Sequence, residues 1–180
     1  MYDLPQNSQK NSKKSDFQNS NAFEIADKNE SFALDEIPQG LSPVSKALEY
    51  QKAAATLGFE WKNLSDIREK VLEELNEVCE AYDEFVKKNQ DASDSSRAQN
   101  DKNAAFLHVE EEIGDLLFAV VDYARKLSVD AESALFKANE KFYRRFSFVQ
   151  KRMTENLIPQ NFQNIDMMEK FWNEAKSKGL

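Results

Sequence analysis

From residue 41 onward, apolar side chains recur every three or four positions, the spacing that gathers them on one side of an α-helix. Almost nothing alternates with a period of two, so the expected fold is all-α, a four-helix-bundle-like domain with a short extra C-terminal helix. Residues 1–40 differ: Asn, Ser, Gln and Lys dominate, Phe17, Phe23 and Phe32 are scattered, and the stretch reads as a flexible tail. The domain is therefore placed at 41–180. Ser42 with Pro43 opens the first helix and Gly58 closes it. Ser65 or Asp66 opens the second, which runs to about Lys88. The polar stretch NQDASDSSRAQNDKN, 89–103, predicts a long loop. A third helix spans about Ala104 to Leu127, and Asp130 caps a fourth that ends near Thr154. Pro159 falls in the next connection, and Asp166 with Glu169 makes a capping-box-like start to the fifth helix.

Rotating each helix by about 100° per residue assigns its faces. On the second, Val71, Leu72, Leu75, Val78, Cys79, Tyr82, Phe85 and Val86 form one apolar arc. Glu74 borders that arc and Glu77 lies next to it. On the third, Val109, Ile113, Leu116, Leu117, Val120, Ala124 and Leu127 form a similar arc, bordered by Glu112 and then Asp115. Both helices thus repeat one arrangement, a carboxylate pair at i and i+3 beside the apolar seam. Packing along those seams would bring the four together, and two carboxylates about 4 Å apart repel by up to about 4 kcal/mol at an effective dielectric near 20. A cation between them removes that cost. An all-oxygen set suits Mg²⁺ or Mn²⁺ better than zinc, and Mg²⁺ usually keeps water positions open for phosphates. The competing reading is that EELNE and EEEIGD are ordinary solvated faces, which Glu73, Glu80, Glu84, Glu110 and Asp122 each fit individually. Gly114, inside EEEIGDLLFAVVDY, costs a helix roughly 1 kcal/mol against Ala. Close approach of a neighbouring helix or a ligand would account for it. A di-iron bundle needs Glu-x-x-His, and the sole histidine, His108, has Ala105 three residues before it. His108 reads as a polar surface or site-edge group.

Composition narrows the partners. A formal charge of −8 argues against general nucleic-acid binding and against an anionic membrane surface. No apolar run is long enough to span a bilayer. The single cysteine, Cys79, reads as a small core residue in a reducing compartment, and the expected location is cytoplasmic. Chain length and 13 Phe suffice for one core.

On the fourth helix, Leu135, Ala138, Phe142, Phe146, Val149 and Met153 mark the apolar arc of ALFKANEKFYRRFSFV. Arg145 falls inside it, with Lys141 one turn earlier at the edge. A guanidinium there needs an anion: a salt bridge to one of the inner carboxylates, or a phosphate. Near the end, Trp172 and Lys176 lie one turn apart, able to stack on a base and touch phosphate, or to staple the last helix down.

Taken together, KVLEELNE from 70, EEIGDLLFAVVDYARKL from 111, KANEKFYRRF from 137 and FWNEAK from 171 closely resemble MazG-type nucleoside triphosphate pyrophosphohydrolases of the all-α NTP pyrophosphatase superfamily. The segment IPQGLSPVSKALEYQKAAATLGFEW, 37–61, is similar to the family's opening segment. The resemblance implies that Glu74, Glu77, Glu112 and Asp115 ligate Mg²⁺, with Mn²⁺ as substitute. It implies that Lys70, Glu73, Glu111, Lys141, Arg145, Trp172 and Lys176 surround the nucleotide. The implied reaction splits a nucleoside triphosphate between the α and β phosphates, with Glu73 or Glu111 orienting or deprotonating water and Lys141 and Arg145 stabilising charge. A homodimer is implied too. Sister activities on dUTP, dCTP or phosphoribosyl-ATP are the alternative within the superfamily, and a non-catalytic nucleotide-binding module is the alternative outside it. Relatives often carry two such domains in tandem and commonly have a basic residue where His108 stands.

Overall fold

A computed structural model of the chain describes residues 32–90 and 96–180. The chain divides after Phe32, and every described helix belongs to Ala33–Leu180. The tail expectation falls largely on residues 1–31, outside the described residues. Five α-helices follow in order: α1 Pro43–Thr56, α2 Leu64–Gln90, α3 Ser96–Lys126, α4 Ala131–Glu155 and α5 Ile165–Ser177. No strand occurs among the described residues. All-α architecture with four main helices and a short fifth agrees with the periodicity.

The punctuation explains most of the boundaries. Ser42 Oγ accepts the Ser45 amide at 3.1 Å, and Pro43 occupies the first helical position of α1. Gly58 ends that helix at φ +85°, a left-handed value that favours glycine. Asp130 caps α4 by accepting the Ser133 amide at 2.6 Å. Two boundaries depart from expectation. Residues 89–90 end α2 and residues 96–103 begin α3, so both ends of the long loop expected over 89–103 are helical, and residues 91–95 lie outside the described residues. The sequence of 96–103 holds neither Gly nor Pro to break a helix, and Gln99 donates to Asn103 four residues on. The capping box at Asp166 is not formed either. A 3₁₀ turn, Phe162–Asn164, leads directly into α5, whose cap position is Asn164 without a side-chain cap bond.

Helix packing comes in two pairs joined by α1. α2 lies antiparallel against α3, with Phe85 and Phe106 rings 5.8 Å apart at one end. α4 packs on α5 around Val149, Met153 and Phe171, all buried. α1 bridges them: Gln51 Nε2 donates to the Phe118 carbonyl of α3 at 2.8 Å, and Glu132 of α4 accepts from the Ser42 and Ser45 hydroxyls.

The seam of the first pair corrects the face assignment. Its buried positions on α2 are Ile67, Glu74 and Ala81, each seven residues from the next and so on one line of the helix. Leu72, Leu75 and Tyr82 are exposed, and so are Ile113, Leu117 (61%) and Val120 on α3 and Leu127 just past its end. Leu135, Phe142 and Phe146 of α4 are exposed as well. Cys79, expected in the core, is exposed. Periodicity identifies an apolar face but carries no information about what covers it.

Candidate active site

Glu74 sits in the α2–α3 seam at 6% exposure, facing Glu112 and Asp115 of α3. Ligand oxygens from these three carboxylates lie within 4.8 Å of one another. Glu77, one turn along α2, belongs to the same electrostatic unit. Desolvation, a hydrogen bond with Glu74 and the charges of Glu74 and Glu112 hold its carboxyl above the ordinary range, against the pull of Lys70. Lys70 is the counter-charge within this chain: its ammonium is 2.8 Å from Glu74 and 2.9 Å from Glu73. Those bonds, Glu74 first, raise its pKa further above the usual lysine value. The donor set fits a hard divalent cation, being three carboxylate oxygens in reach of one ion and a fourth one turn away.

Other predicted residues surround this group unevenly. Glu73 is exposed and tied only to Lys70, and Glu111 is exposed at the rim. His108 lies at the edge as expected, its Nδ1 3.3 Å from Glu112 and 4.0 Å from Glu111. Glu80, Glu84 and Glu110 are exposed, as solvated faces should be. Gly114 departs from expectation: among the described residues a Cβ there would meet nothing within 4 Å, so no other described helix approaches it.

The basic group stands apart. Arg145 makes no ion pair with the inner carboxylates; its Nε donates to the Leu180 carbonyl at 2.6 Å. The guanidinium lies 5.8 Å from the Trp172 ring centre, and Phe142 packs against the same ring at 5.5 Å. Lys141 and Lys176 are exposed, and among the described residues neither pairs with an acid. The predicted nucleotide-contacting residues therefore form two groups, one in the α2–α3 seam and one on α4–α5.

Three residues near the carboxylates were not anticipated. Trp61, Phe118 and Asp122 line a recess of about 180 Å³ that also reaches Lys70, Glu74 and Asp115. Asp122, read from sequence as a solvated acid, is 9% exposed and accepts from Arg125 Nε at 2.8 Å. Its signal was available, since it lies seven residues after Asp115 and so on the same side of α3. Arg125 also bonds Glu60 at 2.9 Å, and Lys126 bonds Glu60 at 2.8 Å. Hydrogen bonds from Lys126 and then Arg125 hold the Glu60 carboxyl below the ordinary range.

The sequence matches known proteins over most of these residues. The family model for the MazG nucleotide pyrophosphohydrolase domain matches residues 62–149. A nucleoside triphosphate pyrophosphohydrolase of Escherichia coli (strain K12) is 37% identical over 157 residues, covering 87% of this chain and 53% of the relative. The Thermotoga maritima nucleoside triphosphate pyrophosphohydrolase/pyrophosphatase MazG is 32% identical over 149 residues, 83% of this chain and 50% of that protein. The chain thus spans about half the length of the curated relatives it matches. The matched residues carry both carboxylate pairs and the basic row of α4, and through them this chain belongs to the MazG family of nucleotide pyrophosphohydrolase domains.

Proposed function

We propose that residues 41–180 form a divalent-cation-dependent hydrolase that converts nucleoside triphosphates to monophosphate and pyrophosphate, clearing ordinary or damaged nucleotides. The observation that carries this reading is the convergence of Glu74, Glu112 and Asp115 oxygens within 4.8 Å, from a buried Glu74 through a half-buried Glu112 to an exposed Asp115, with Glu74 at a seam position where helix packing alone would favour an apolar residue. The names of the relatives support the same chemistry. Glu74, Glu77, Glu112 and Asp115 would hold Mg²⁺, with Mn²⁺ as substitute. When bound there, the ion supplies charge neutralisation for phosphate oxygens and a lowered pKa for water.

The chain's own residues do the rest. Glu73 or Glu111, exposed beside the carboxylates, accepts a proton from the attacking water. The water oxygen bonds to the α-phosphorus, the bond from that phosphorus to the bridging oxygen breaks, and the electron pair leaves with pyrophosphate. Lys70, released from Glu73 and Glu74, offers three donors to phosphate. Lys141, Arg145, Trp172 and Lys176 engage the nucleotide from α4–α5.

Because these residues stand in two groups, we assign the working form to a homodimer. The exposed apolar faces of α2, α3 and α4 support that assembly. No described helix is long and apolar enough to cross a membrane, and the acidic charge favours neither nucleic acid nor anionic lipid, so the proposed setting is the cytoplasm.

Chromatography of products from the four NTPs, the four dNTPs and phosphoribosyl-ATP tests the chemistry. Monophosphate and pyrophosphate are expected, abolished by chelation and by Glu74→Gln. Release of inorganic phosphate contradicts the bond assignment, and binding without turnover over long Mg²⁺ and Mn²⁺ incubation identifies a non-catalytic module. Sedimentation of the parent and of Leu75→Asp/Leu117→Asp tests the dimer; a monomeric parent contradicts it.

A further inference from the structure

We infer that the recess beside Trp61 receives the substrate's base and that Asp122 reads an amino group on the base edge; this rests on the hydrolase reading above. The recess opens directly onto Glu74 and Asp115, so its occupant is continuous with whatever the carboxylate group binds. Its chemistry disfavours phosphate. Trp61, Phe118 and Ala119 present apolar surface, and three carboxylates face one ammonium, Lys70. A flat, uncharged ring with hydrogen-bond donors suits such a site, stacking on an aromatic face and donating to an acid.

The walls are fixed in advance. Gln51 Nε2 holds the Phe118 carbonyl from behind at 2.8 Å. Glu60, next to Trp61, is held by Arg125 and Lys126, and Arg125 also grips Asp122. Asp122 Oδ1 accepts that bond at 2.8 Å, while its second oxygen has no donor among the described residues. A carboxylate oxygen can accept only; it welcomes an exocyclic amine and repels a carbonyl in the same place. Trp172, by contrast, already has Arg145 on its ring and Phe142 against it. Trp61 is 45% exposed and has no ring partner among the described residues.

ATP against ITP and CTP against UTP differ in that exchange of amine for carbonyl. In the full chain with Mg²⁺, kcat/KM is expected to favour ATP and CTP by at least about tenfold, the range of one charge-assisted hydrogen bond. Asp122→Asn keeps an oxygen for Arg125 and turns an amide donor toward the base, so the preference inverts. Equal rates within each pair, or a variant that keeps the parent's ratios, overturns the inference. Trp61→Ala is expected to raise KM about tenfold for all four substrates with the products unchanged. A non-hydrolysable triphosphate with an α,β-methylene link quenches tryptophan fluorescence in the parent, and Trp61→Phe loses most of that quench whereas Trp172→Phe keeps most of it. An undiminished quench in Trp61→Phe overturns the placement of the base. Absence of α–β cleavage in the parent strikes the hydrolase reading instead, and the quench then still decides the recess.

Discussion

The two helix pairs bury different things. Between α4 and α5 the centre of the contact is apolar: Met153 and Ala175 have 0% exposure, Ile158, Met167 and Met168 pack around it, and the charges lie at its edge, where Arg152 reaches Glu174 at 3.5 Å. Between α2 and α3 the most deeply set positions include Glu74 and Asp122, while Leu72, Leu75, Ile113 and Leu117 face outward. A helix pair that buries acids and exposes leucines is poor at stabilising itself and well suited to holding a cation. The α4–α5 pair anchors the fold, and the α2–α3 pair binds.

The largest effect expected from this contrast is at Phe171. Phe171→Ala should lower unfolding free energy by about 4 kcal/mol in urea denaturation, and a loss under about 1 kcal/mol would break the contrast. Asp115→Asn should do the reverse. Turnover of triphosphate falls by more than about 100-fold, beyond what residues outside the ligand set usually cost, while the denaturation midpoint holds or rises as like-charge repulsion is relieved. Gly114→Ala sharpens the distinction. With open space around the new Cβ, the monomer should gain about 1 kcal/mol of helix stability, read as a higher melting temperature. A simultaneous loss of dimer affinity or of nucleotide binding would show that something outside the chain uses the gap. The smallest effect is titration at the α4 cap. A hydrogen bond from the Ser133 amide, with its hydroxyl second, holds the Asp130 carboxyl below its ordinary value. The folded state therefore binds this proton less readily than the unfolded one. Its stabilisation is complete above about pH 4 and disappears as pH falls through the lower, folded pKa. Asp130→Asn keeps the cap without the titration, so its melting temperature should fall less steeply between about pH 4 and pH 2.

Sequence made the helices legible where local chemistry sets them. The Ser42–Pro43 and Asp130 starts and the Gly58 stop all stand where their caps dictate. It failed at 96–103, where a polar composition was taken for a loop although no residue there breaks a helix. It failed at Asp166 because a 3₁₀ turn entered the helix ahead of the capping pair. The carboxylates were found by their i, i+3 repetition, which survives folding because both members ride on one rigid helix. Asp122 shares the Asp115 side of α3, which a helix projection shows, but its burial also depends on Glu60 pairing with Arg125 and on the antiparallel neighbour, which such a projection does not contain. The outward apolar arcs were misread as core for the same reason.

The clasp at Glu132 has a kinetic consequence. This one carboxylate accepts hydroxyls from Ser42 and Ser45, 90 and 87 residues away in sequence. The α2–α3 and α4–α5 pairs each join neighbouring helices, so they can form quickly from local encounters. Closing Glu132 onto α1 requires the whole intervening chain to be gathered first, and the entropy of that long loop opposes it. The clasp is therefore the last part to form during folding. In native-state hydrogen exchange, the amides at the start of α1, next to these serines, should be among the first to open.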